Sequence, residues 1–229
     1  MGDKKSEIEK EKDNPVLQIL EAGTCAIGMS RRDWMRRGGS FLQRCVGSNV
    51  VEATAKEWRQ LRDEGRIKSD YQNTEQCGAC LYELLESLEK DSVDHERMKL
   101  IKRIFLAAAT EEKSTRRDNL PLEFIRTARS LSAGEILVLR AGCHLHDTLD
   151  VSKENEARKL LYWHNQLAGQ SGLKHSGLTD VHCGELAKKG LMDRRFTIVG
   201  EAYVTARDLI TSYGKALCDF AMTDADPLI

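Results

Sequence analysis

Helix start and stop signals follow one another in a fixed order through the last hundred residues of this chain. The first signal is a capping box, Ser132-Ala133-Gly134-Glu135, directly before an apolar run at 136–139. In such a box the serine and the glutamate bond each other's backbone N–H groups, so we predict a helix that ends near residue 146. A second helix is expected at 152–167. These closely spaced start and stop signals predict that the segment consists of short elements that follow one another along the chain.

The rest of the segment carries a third helix, a hairpin signal and a closing helix. The third helix, with residue 179 or 180 as its N-cap, is predicted to end at Gly190, because glycine tolerates the left-handed backbone that follows a helix. Two β-rich runs, 196–199 and 202–205, stand on either side of a glycine and a glutamate. That arrangement predicts a short β-hairpin. The closing helix is expected over 208–222.

This order of elements resembles a winged helix-turn-helix module. The resemblance covers residues 131–222 and rests on three phrases: "LSAGEILVL" as the first helix, "ELAKKGLMDRR" as the recognition helix leading into the wing, and "LITSYGKALCDF" as the closing phrase. The layout is also similar to that of uncharacterised bacterial helical proteins with such a tail, without indicating a single family. In winged-helix proteins that bind DNA, the third helix enters the major groove and the wing touches the backbone.

The resemblance places four basic side chains where a partner or a nucleic acid would bind: Lys188, Lys189, Arg194 and Arg195. Neutralised phosphates provide most of the affinity of a protein for DNA. However, residues 131–229 hold 11 basic and 13 acidic side chains, so the module as a whole is slightly acidic. A protein partner is therefore at least as well supported as DNA.

A second basic segment offers another site for a polyanion. Between residues 31 and 68 there are 10 basic and 5 acidic side chains, although the whole chain carries a net charge of only −1. Trp34 lies within the cluster formed by Arg31, Arg32, Arg36 and Arg37. Arginines beside an aromatic ring can hold a nucleic acid by phosphate contact and stacking, or an acidic membrane surface or protein. A solvated helix face with Trp34 in the core remains the alternative.

The N-terminal half is predicted to be a charged arm followed by a helical bundle. Residues 1–14 alternate charges with almost nothing to bury, so we expect a disordered arm. The helical domain is assigned to 15–130 and the winged-helix-like domain to 131–229. One long helix is predicted at 75–112, either unbroken or restarted at residue 91 or 92. One of its apolar stripes consists of Met98, Ile101, Ile104, Phe105 and Ala108.

The 7 cysteines are odd in number and scattered in spacing, which favours reduced thiols in a cytosolic protein over a disulfide framework. Cys77 and Cys80 have CxxC spacing at a helix start, which indicates either a redox pair or two buried cysteines. A weak metal candidate is formed by Cys143, His144 and His146, since histidine and cysteine are natural zinc ligands. No HExxH, P-loop or GxSxG motif accompanies them.

The sequence therefore predicts a mainly α protein that binds a partner. No run approaches the roughly 18 apolar residues that a membrane-spanning helix needs, and we expect a cytoplasmic, non-enzymatic regulatory protein without a cofactor. Its winged-helix-like tail is expected to contact a protein, including a second copy of the chain, or a nucleic acid. The alternative is a metal-dependent enzyme or effector that uses the cysteines and histidines of residues 143–183.

Overall fold

The computed structural model shows a mainly helical chain, as the sequence predicts. It divides between Arg129 and Ser130 into two compact units, named here the N-terminal unit and the C-terminal unit. The predicted arm at 1–14 and the basic segment with Arg31, Arg32, Arg36 and Arg37 lie outside the described residues. The structure describes residues 49–68, 71, 74–90, 94–110, 120–148, 166–173, 175–193, 197–199, 203–205 and 210–222.

Four helices are described in the N-terminal unit: α1 (Asn49–Asp63), α2 (Glu75–Lys90), α3 (His95–Thr110) and α4 (Leu120–Arg129). The unbroken form of the helix predicted over 75–112 is wrong, whereas the predicted break is confirmed: α2 ends at Lys90, α3 begins at His95, and the two helices pack against each other. The new helix starts a few residues later than residue 91 or 92. Asp94 caps the new helix, since its Oδ1 accepts hydrogen bonds from the backbone N–H groups of Glu96 and Arg97.

Helix α3 lies at the centre of the N-terminal unit, in contact with α1, α2 and α4. Its predicted apolar stripe is confirmed, because all five residues from Met98 to Ala108 are buried. Trp58 of α1 stacks on Phe105 with ring centroids 5.1 Å apart, an arrangement that adds stabilisation beyond the burial of the two rings. At the unit's surface, Arg126 Nε of α4 lies 3.0 Å from Glu83 Oε1 of α2.

The C-terminal unit contains the elements from which the candidate site is built. They are α5 (Ala133–Thr148), α6 (Ser176–Lys188), β1 (Thr197–Val199), β2 (Tyr203–Thr205) and α7 (Ser212–Ala221). Residues 166–170 are also helical, and Leu167 there is buried. Helix α5 contacts both α6 and α7. None of the helices within the described ranges has the length and apolar character that a membrane crossing requires.

Two short strands follow α6. Strand β1 pairs antiparallel with β2, and Met192 forms an isolated antiparallel bridge with Ile210. Residues 200–202, which would form the turn, are outside the described part of the chain. The predicted hairpin and its role as a wing therefore stay predictions.

The start of α6 differs from the prediction, and its end agrees with it. The helix begins at Ser176 with His175 as N-cap, not with Thr179 or Asp180. Thr179 lies inside the helix because its backbone N–H bonds the carbonyl of His175, four residues back. At the other end Gly190 has a φ of 71°, and its N–H donates to the Ala187 carbonyl at 3.0 Å. Such a left-handed glycine ends a helix, as predicted.

Candidate partner-binding surface

The N-terminus of α5 is closed by the capping box that the sequence predicts. The backbone N–H of Ser132 donates to Glu135 Oε2 at 2.6 Å, and the N–H of Glu135 donates to Ser132 Oγ at 3.3 Å. Both halves of the reciprocal pair are therefore formed. Glu135 is only 3 % exposed, so a carboxylate is buried at this end of the helix and needs further partners.

Lys189 supplies the second partner of the buried carboxylate. Its Nζ donates to Glu135 Oε1, the oxygen opposite the one that accepts from Ser132. Lys189 is the C-cap residue of α6, so the ion pair joins the C-terminal end of α6 to the N-terminal end of α5. A lysine predicted to bind a partner or a nucleic acid is thus already paired within the unit.

The remaining predicted cations contribute little positive charge to the described surface. Lys188 has a side chain that is 72 % exposed, but its Nζ lies 2.6 Å from Glu185 Oε1 on the same helix. The two charges neutralise each other, and an exposed pair of this kind is readily screened. Arg194 and Arg195 lie outside the described residues. The structure therefore describes two of the four predicted cations and pairs each with a carboxylate.

Two exposed apolar side chains were missed by the sequence reasoning. Leu178 is 48 % exposed and Val181 is 58 % exposed, and both belong to α6. Their spacing, continued by Glu185 and Lys188, puts all four residues on one stripe of the helix. We call this stripe the α6 outer face. Its first half is apolar, and its second half is the neutralised ion pair.

The opposite side of α6 packs closely on α5. Thr179 and Leu186 are fully buried there. A Cβ added to Gly134 at the start of α5 would lie 2.3 Å from His182 Nε2. The glycine therefore gives the imidazole room beside the first turn of α5, so His182 faces α5 rather than the α6 outer face.

The start of α7 is hydrogen-bonded to the residues that follow α6. Thr211 is the N-cap of α7, because its Oγ1 accepts from the Gly214 N–H at 3.0 Å. The same hydroxyl donates to the Gly190 carbonyl at 2.6 Å. A Cβ on Gly214 would lie 2.2 Å from the Leu191 carbonyl oxygen. The threonine and the glycine of the closing phrase thus fasten the end of α6 to the start of α7.

A disulfide between Cys143 of α5 and Cys218 of α7 corrects the expectation that all cysteines are reduced. The two positions are 75 residues apart, so their spacing carries no local signal. The bond also removes Cys143 from the candidate metal cluster, while His144 and His146 are exposed on α5. Within the described residues, no three histidine, cysteine or acidic side chains are grouped to hold a metal ion.

Both cysteines of the CxxC pair in the N-terminal unit are buried, as one of the two interpretations predicts. Thr74 caps α2, accepting from the Cys77 N–H at 3.1 Å. Burial, together with a smaller effect of the neighbouring Cys80, raises the pKa of the Cys77 thiol to about 12. Burial likewise raises the pKa of Cys80 to about 12, although the nearby Tyr71 side chain favours the thiolate. Both thiols are therefore protonated and poorly nucleophilic near neutral pH.

Comparison with known proteins adds no family to this geometry. No family model matches the chain, and no curated protein or solved structure matches it. The function proposed for the chain therefore depends on its own residues and their contacts.

Proposed function

We propose that the C-terminal unit is a winged-helix-like module that binds a protein partner through the α6 outer face. The order of its elements supports this architecture: α5, the helical residues 166–170, α6, two strands and α7. The strand pairing supports it as well. The Met192–Ile210 bridge lies in the same register as the β1–β2 pairs, five residues further along each arm, as expected for the base of a two-stranded wing.

The observation that carries the choice of partner is the chemistry of the α6 outer face. Leu178 and Val181 expose apolar surface, and covering such surface gains about 25 cal/mol per Å². A protein partner with an apolar pocket would obtain that gain, whereas the phosphate backbone of DNA would not. Glu185 on the same face would lie near phosphates and repel them. The face therefore suits a protein better than a DNA duplex.

Site-specific photo-crosslinking tests this proposal in the host cell. A benzoylphenylalanine at position 181 should form an adduct with a specific protein, because the side chain lies at the centre of the proposed contact. The same probe at His144, which is exposed on α5, serves as the control and should give no such adduct. Equal adducts at both positions, or none at position 181, would contradict the proposal.

A second variant distinguishes specific recognition from nonspecific hydrophobic association. Adding Leu178→Ser to the protein with the probe at position 181 should abolish the adduct, since Leu178 lies one helical turn away on the same stripe. Tyr82→Ser is the matched control, because Tyr82 is 50 % exposed but belongs to α2. It should leave the adduct unchanged. Intermolecular adducts between copies of the chain would identify the partner as a second copy.

A salt series with labelled duplex DNA tests the competing partner. We expect no salt-dependent DNA binding between roughly 50 and 200 mM salt, because Lys188 and Lys189 are already paired with carboxylates. Binding that does weaken over this range, and that Lys188→Ala removes, would assign the α6 outer face to DNA instead.

A further inference from the structure

Three links close α5, α6 and α7 into a ring of contacts. Glu135 and Lys189 join α5 to α6, and Thr211 joins α7 to the end of α6. Cys143 and Cys218 complete the ring by joining α7 back to α5. Of these three links, the disulfide alone is covalent and depends on the presence of an oxidant or a reductant.

We infer that the Cys143–Cys218 disulfide is a redox-controlled clasp on α7. Helix α7 has only 10 residues, fewer than the ~12–15 that an isolated helix needs to be even marginally stable in water. Its first turn is held by Thr211 and Gly214, at the α6 end. Cys218 lies in its second half, so the bond to α5 fastens the part of α7 that is furthest from those contacts.

The chemistry of the clasp balances with a small dithiol as the reductant. The S–S bond between Cys143 and Cys218 breaks, each sulfur gains a proton, and the dithiol gives up two electrons and two protons as it closes to a cyclic disulfide. A low-molecular-weight disulfide reverses the reaction and is itself reduced to two thiols. Cys77 and Cys80 are poor nucleophiles for thiol–disulfide exchange with this bond, because burial keeps both thiols protonated.

Opening the clasp alters the end of α6 through α7. The carbonyls of Gly190 and Leu191 accept hydrogen bonds from Thr211, the N-cap of α7. When the C-terminal half of α7 loosens, these bonds lose part of their support, and the turn after α6 becomes free to open. This regulation of the α6 outer face rests on the proposed function, whereas the clasp itself does not.

Peptide mapping and hydrogen exchange on the full-length protein, without any partner, test the clasp. A non-reducing digest should contain one species in which the peptides of Cys143 and Cys218 are linked. Dithiothreitol should then speed exchange of the α7 amides on the order of tenfold or more, while the α2 amides around Cys77 keep their rates. Finding Cys143 and Cys218 alkylated as separate thiols, or α7 exchange equal in the two states, would overturn the inference.

Cysteine variants assign the effect to this pair. The double variant Cys143→Ser/Cys218→Ser should exchange in α7 like the reduced protein and should not respond to dithiothreitol. Cys183→Ser is the matched control, since Cys183 on α6 takes no part in a disulfide, and it should respond like the unmodified chain. If the double variant does not fold, the unmodified chain with and without dithiothreitol still decides the question.

The crosslinking yield from position 181 tests the regulatory part separately. The yield should differ between the chain with the probe alone and the chain that also carries Cys143→Ser and Cys218→Ser. An equal yield would overturn the regulation of the α6 outer face. A complete lack of adduct in both would contradict the proposed function but leave the exchange result standing.

Discussion

Lys189 donates a hydrogen bond to the carboxylate of Glu135, which is almost completely buried at the N-terminus of α5. The carboxylate lies near the positive end of the α5 dipole, and the ammonium lies near the negative end of the α6 dipole, so both charges are favourably placed. The other carboxylate oxygen accepts from the Ser132 N–H. A lysine that the sequence predicts to bind a partner is thus part of the internal packing of the C-terminal unit.

Replacing Lys189 by alanine should destabilise the C-terminal unit by about 2 kcal/mol, because it leaves a buried carboxylate without its cation. Urea unfolding of the full-length chain measures the loss. Lys188→Ala is the matched control and should cost less than about 0.5 kcal/mol, since its pair with Glu185 is exposed. Equal losses of stability for the two substitutions would show that the Glu135–Lys189 pair contributes no more than the exposed pair.

Gly214→Ala should destabilise the contact between α6 and α7 by roughly 2 kcal/mol or more, because the new Cβ would overlap the Leu191 carbonyl. The clash is with backbone, so no side-chain rotation relieves it. Gly177→Ala provides the control: no atom lies within 4 Å of its added Cβ, and alanine favours a helix by up to about 1 kcal/mol. Thermal unfolding should therefore move in opposite directions for the two variants.

Thr211→Val should cost about 1–2 kcal/mol, since the methyl group can neither cap α7 nor donate to the Gly190 carbonyl. Thr211→Ser keeps the hydroxyl and should recover most of the loss. Hydrogen exchange at the Gly214 amide, which bonds the hydroxyl, reports on the cap directly. A serine variant as unstable as the valine variant would mean that the hydroxyl does not carry this contact.

The N-terminal unit should lose stability between about pH 9 and pH 12. Burial raises the pKa of Cys77 and Cys80 from 9.0 to about 12, so the unfolded chain releases thiol protons in this range while the folded chain keeps them. The stability is fully present below pH 9 and falls as the pH rises. Urea unfolding at several pH values measures it, and Cys77→Ala/Cys80→Ala should flatten the decline. An equally steep decline in that variant would assign the effect to other groups.

Local signals determined much of the secondary structure from the sequence alone. The Ser132–Glu135 box, the Gly190 stop and the stripe on α3 were predictable because each depends on residues within one or two helical turns. The same local reasoning failed at the start of α6, where it predicted Thr179 or Asp180 as the N-cap instead of His175. Thr179 belongs to the buried side of the helix, and its burial depends on α5.

Only the tertiary structure decided which side chains remain available for a partner. Lys189 is paired because α5 brings Glu135 to it from 54 residues away. Cys143 and Cys218 meet across 75 residues, and Leu178 and Val181 stay exposed because α5 covers the opposite side of α6. Such contacts leave no mark in residue spacing, since chain segments far apart in sequence meet only when their apolar faces are buried together. Local sequence determined the capped start of α5 and the glycine stop of α6, whereas packing determined which helix surfaces stay exposed.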